Sequence, residues 1–190
     1  MVPPASPSRL EQLATAPSDP TGSSAAAALS SETLLEQAQA RVMEVASSDF
    51  TNLRERIAGV LHTLAELAAR MDAGAEEQRN VQEIRFQAKR LERQDVAFAQ
   101  SIWVEKALLA ALAVLDGSGV ASRTAELGNW IRAARDAAHA IPDQTSLVFE
   151  QATIQDALRT TVSAFTLARR GYGACASQRT ASERSGSDGP

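Results

Sequence analysis

The stretch from Phe50 to Met71 constrains this chain more than any other. Phe50, Leu53, Ile57, Val60, Leu64, Leu67 and Met71 follow one another at alternating steps of three and four, an unbroken heptad seam. On a helix this spacing puts all seven side chains on one narrow stripe, which leaves water only by packing against other helices. The chain is therefore expected to fold through helix–helix contacts, and these seven residues are the candidate interaction seam. The competing expectation is that the seam is core, because a long amphipathic stripe in a multi-helix chain usually finds its partner within the chain.

Burial has to come from small and branched side chains. Of 190 residues 44% are hydrophobic but only 4% aromatic, enough for one domain with a core of Ala, Leu, Val and Ile. Such a core suits closely packed helices better than a sheet. A formal net charge of −4 argues against general nucleic-acid binding, which needs a basic surface. Lys89 and Lys106 are the only lysines, so nearly all positive charge is arginine. Cys175 is the single cysteine, which excludes an intrachain disulfide and a cysteine-based zinc site.

Residues 1–29 carry Pro3, Pro4, Pro7, Pro17 and Pro20 among Ser, Thr, Ala and Gly and are expected to be a disordered leader. The leader has no continuous apolar run of the kind a secretory signal needs, and Glu11 and Asp19 speak against a mitochondrial transit peptide. A first helix is expected from Ser30 or Ser31, with Leu35, Ala38, Val42 and Val45 as its stripe. The stripe slips by one residue across Ser47, Ser48 and Asp49, so a break belongs there. The second helix then spans Phe50 to Met71, about 33 Å at 1.5 Å per residue.

Asp72-Ala73-Gly74 is expected to end it with a left-handed glycine cap and to reverse the chain. A long third helix should follow, from about Ala75 to Leu115. Its first half has Val81, Ile84, Ala88 and Leu91 inward. Its second half, from Val96, is apolar nearly all round, as a central core helix would be. A membrane span fits that length less well than a core helix does, because Glu105 and Lys106 sit in its middle. Asp116-Gly117-Ser118-Gly119 marks an internal boundary.

A fourth helix is expected from about Ser122 to Ala140, with Leu127, Trp130, Ile131, Ala134, Ala138 and Ile141 on one face and Pro142 as its stop. Asp143 or Thr145 should cap a fifth, carrying Leu147, Ile154, Leu158, Val162, Phe165 and Ala168 inward and ending at Gly171 and Gly173. Residues 174–190 read as a disordered tail. No strand-like alternation and no fixed repeat is visible.

Chemistry is harder to find. His62 and His139 are the only histidines, and the one Glu or His three or four residues from either is Glu66, four after His62. An enzyme or ligand-binding bundle would have to use His62 with Glu66. A phosphotransfer bundle resembles a His-x-x-Lys-Gly pattern, whereas His62 is followed by Thr63-Leu64-Ala65-Glu66. A di-iron bundle needs Glu-x-x-His pairs, which are missing. Phosphate-binding loops and nucleophile elbows are missing too. Arg79, Arg85, Arg90 and Arg93 are interleaved with acids and are expected to form ion pairs within their own helix. No catalytic, cofactor-binding or metal-ligating residue is therefore expected.

Leu91-Glu92-Arg93-Gln94, followed by Ala97-Phe98 and Ser101 on a long helix after Leu53 to Met71, is similar to the small helical subunits of the Mediator head module. The similarity covers a minor part of the chain, and the fifth helix has no counterpart in it. What it implies is an alternative role as a subunit of a nuclear complex.

The expectation is an all-α protein, an antiparallel bundle of about five helices over residues 30–173 with a long central coiled-coil-like hairpin and disordered ends. Its function would be non-enzymatic, a helical interaction or scaffold subunit that assembles with other helical proteins or with itself. Nucleic acid and a membrane span are not expected, and a cytoplasmic location is. A signal-less secreted component or effector, exported through its N-terminal region, is the other alternative.

Overall fold

The structure is a computed structural model. It describes residues 30–47, 52–71, 74–93, 101–119, 124–143 and 145–170, and the helical backbone of 171–185. Phe50, the leader and the end of the tail lie outside the described residues. Six helices are described: α1 Ser31–Ser47, α2 Leu53–Ala69, α3 Ala75–Glu92, α4 Ser101–Gly117, α5 Ala125–His139 and α6 Gln151–Ser185. The protein is all-α.

Neighbouring helices run antiparallel, which pairs of contacts make plain. Arg41 reaches Gly59 and Arg56 reaches back to Glu44, so α1 and α2 run in opposite senses. His62 with Glu92 and Glu66 with Arg85 do the same for α2 and α3. Gln39 with Thr166 and Val45 with Gln151 close α6 back onto α1. The helices form a ring in chain order, while α2, α4 and α6 also touch one another. Burial follows that plan. Inner α2 and α4 each bury ten residues, whereas α1, α3 and α5 bury five, five and four.

Sequence chemistry accounts for several helix ends. Ser30 caps α1, its hydroxyl accepting from the Thr33 N–H at 3.1 Å. Thr124 caps α5 through the Leu127 N–H at 3.2 Å. Beyond α4, Gly119 takes a φ of 66°, the left-handed conformation that favours glycine.

Several expectations are corrected. The long third helix is two helices. Arg93 turns extended at ψ 115°, and α4 folds back on α3, which a continuous helix could not do. The apolar stripe itself runs out there, since three or four residues beyond Leu91 stand Gln94 and Asp95. The long coiled-coil-like hairpin is accordingly not what the fold displays. Gly74 is no left-handed cap, because its φ is −68° and it leads into α3. The fifth expected helix begins later than Asp143 or Thr145, at Gln151, because the Pro142 and Thr145 carbonyls accept from Ser101 at the start of α4. It also continues through Gly171 and Gly173, which cost roughly 1 kcal/mol each relative to alanine and do not stop it.

Candidate functional site

The seam lies inside the molecule. Leu53, Ile57, Val60 and Leu64 are at most 1% exposed, Leu67 is 5% exposed, and Met71 packs on the core partly buried. Burial on α2 is wider than a heptad stripe, because Ala58, Leu61, Ala65 and Ala68 are buried as well. The described members of the seam are thus spent on α2's own neighbours, and the surface has to be searched elsewhere.

Neither histidine joins a cluster. His62 Nε2 lies 3.0 Å from Glu92 Oε1 on α3, not beside Glu66, whose carboxylate accepts from Arg85 at 2.9 Å. His139 Nδ1 lies 3.1 Å from Glu105 Oε1 on α4. No group of three or more His, Cys, Asp or Glu able to hold a metal occurs among the described residues. No described helix is long and apolar enough to cross a membrane. A polar hollow of about 470 Å³ between α1 and α2 is lined in part by Arg41 and Arg56, whose guanidinium groups are engaged by the Gly59 and Glu44 carbonyls.

The outward face of α3, where it meets α4, has a different character. Phe86 is 55% exposed, although the α3 stripe at Val81, Ile84, Ala88 and Leu91 points inward. One turn on, the Arg90 guanidinium carbon lies 5.6 Å from the Phe86 ring centre and 4.2 Å from that of Trp103 on α4. Both rings attract it through their negative faces. Lys89 and Arg93 stand three residues after Phe86 and Arg90 and are exposed, as is Lys106, three after Trp103. Both lysines of the chain therefore flank this stack.

Among the described residues its charge is left uncompensated, because the adjacent acids are engaged elsewhere. Glu83 accepts from the Gln87 amide at 2.6 Å, Glu92 faces His62 on α2, and Glu105 faces His139 on α5. Lys89, Arg93 and Lys106 have no acidic partner among the described residues. The expected ion pairs within α3 are thus replaced by pairs between helices, Arg85 with Glu66 and Glu92 with His62. Near the stack, Glu83 thus turns to Gln87 and Glu92 to α2, while Lys89 and Arg93 are exposed.

Sequence reasoning named Arg79, Arg85, Arg90 and Arg93 but had no means of adding Phe86, Trp103 or Lys106, since their meeting depends on α4 folding back. Trp130, expected on the inner face of α5, is 38% exposed and lines a surface hollow with Leu167 of α6. The similarity of Leu91 to Ser101 to a known group of subunits falls partly on residues outside the described ones. No protein-family model, no curated protein and no solved structure matches this chain.

Proposed function

We propose that this protein is a non-enzymatic helical interaction subunit whose α3–α4 face receives an acidic, amphipathic helix of a partner protein. The observation that carries the reading is the group of four cations, Lys89, Arg90, Arg93 and Lys106, around exposed Phe86 in a chain of net charge −4. A ring beside several uncompensated cations offers both an apolar anchor and electrostatic complementarity. In this reading the packing of α2 against α3 is the platform that holds the face rigid. Partner helices with apolar residues one turn apart, flanked by Asp or Glu, would lay across it.

The test is a titration of the full chain with a synthetic amphipathic helix of Leu and Glu, followed by fluorescence anisotropy of the labelled peptide. Binding should weaken as salt is raised, and the triple variant Lys89→Glu, Arg93→Glu, Lys106→Glu should lose it by about a hundredfold while keeping its helicity. Equal affinity of both proteins for the peptide would sink the proposal. So would tighter binding of double-stranded DNA or of anionic vesicles than of the peptide.

A further inference from the structure

A second feature, remote from α3, points to a small ligand. Between the start of α1, the end of α2 and the middle of α6 lies a cavity of about 160 Å³. Its walls include Leu35, Leu67, Phe165 and Ala168, each at least nine-tenths buried, so core side chains form its apolar floor. Arg70 and Arg169 line it as well, both exposed, and no acid does among the described residues. Arg169 has no acidic partner among the described residues.

Size limits the occupant. An engineered apolar cavity of about 150 Å³ takes one benzene, so this hollow accepts about six carbons and is too small for a drug-sized molecule, whose sites start near 300 Å³. Charge sets its other end. A guanidinium fork matches a carboxylate, and a cation beside an apolar hole selects a ligand that is apolar at one end and anionic at the other. We infer that this cavity is a binding site for a short aliphatic carboxylate, its chain against Leu35, Leu67 and Phe165 and its carboxylate toward Arg169. The inference stands apart from the α3–α4 reading, since none of the residues is shared.

Sodium hexanoate and 1-hexanol, matched in chain and differing in charge, are the probes for calorimetric titration of the full chain. Hexanoate should bind at one site about tenfold more tightly than hexanol, the size expected for one charge-assisted contact. Arg169→Gln should abolish that preference and leave hexanol binding unchanged. Because Arg169 is exposed, this variant should unfold at the same temperature as the parent. Ala168→Leu, which grows into the hollow from its wall, should weaken both probes. Equal affinity for the two probes, an undiminished preference in Arg169→Gln, or no saturable binding of hexanoate would each overturn the inference.

Discussion

The Arg90 guanidinium lies 4.2 Å from the centre of the Trp103 ring, joining α3 to α4 at the end of the hairpin where the chain reverses. Trp103 is only 5% exposed, so the cation closes the surface over an aromatic side chain that would otherwise be open to water. Arg90→Ala should cost about 1 kcal/mol, the usual worth of a partly desolvated cation–π contact. In a chain of this length that is a fall of about 2–4 °C in melting temperature. Arg90→Lys should recover only part of it, because an ammonium does not stack flat on a ring. Thermal circular dichroism of both variants checks the order; a lysine variant as stable as the parent would show that charge alone matters.

Gln87 sits one turn before Leu91 on α3 and is 2% exposed, yet its side-chain Oε1 has no hydrogen-bond partner among the described residues. Its amide nitrogen is fixed by Glu83 at 2.6 Å, so turning the amide over would set two oxygens against each other. An unpaired buried acceptor costs about 1–3 kcal/mol. Gln87→Met, close in volume, should therefore raise the denaturant midpoint by an amount worth about 1 kcal/mol with an unchanged slope. A lower midpoint would mean that the oxygen has a partner in solution.

The heptad phase of α2 makes a sharper distinction. Leu64 is 0% exposed in the centre of the bundle, so Leu64→Ala should cost about 2–5 kcal/mol. Met43 on α1 is 63% exposed, and Met43→Ala should change stability by about 0.5 kcal/mol or less. Chemical denaturation gives both values. Similar small effects would place Leu64 outside the core and return the seam to the surface.

Much of this fold is legible from periodicity. The stripes Leu35, Ala38, Val42, Val45 on α1 and Ile154, Leu158, Val162, Phe165 on α6 are buried as their spacing implies. The seam was legible as a stripe in need of helices, but spacing alone does not say whose helices. Local chemistry also misled where tertiary demands outweighed it. No Gly or Pro marks the division between α3 and α4, so only the polar residues after Leu91 signalled it. Trp130 falls at the edge of the α5 stripe and stays partly exposed beside Leu167. For the α3–α4 face the sequence contains every residue, yet the pairing of acids with α2 and α5 that strips its cations of partners exists only after folding.

Gly119 offers a backbone test free of packing. Its φ is 66°, and a Cβ added there would meet nothing within 4 Å. Gly119→Ala should thus cost about 1 kcal/mol from conformation alone. Gly119→Asn should cost less, because asparagine tolerates the left-handed region. Equal melting temperatures for glycine and alanine would show that the turn takes another shape.

Ser101 ties the start of α4 to the α5–α6 connection. It is fully buried at the start of α4, its N–H donates to the Thr145 carbonyl at 3.3 Å, and its hydroxyl donates to the Pro142 carbonyl with Thr145 O also in reach at 3.1 Å. These bonds supply acceptors to a helix start that lacks them internally, and they hold the α5–α6 connection in the non-helical form that delays α6 to Gln151. Ser101→Ala keeps the N–H bond but leaves the Pro142 carbonyl only the longer bond from the Thr145 hydroxyl at 3.3 Å, at a cost of about 1 kcal/mol. The loss should be local in its consequence. Amide hydrogen exchange should quicken in residues 145–150 and at the start of α4, while the α1–α2 amides slow or quicken only with global stability. Uniform acceleration across all helices would instead mean that Ser101 contributes to the core as a whole and does not position the connection.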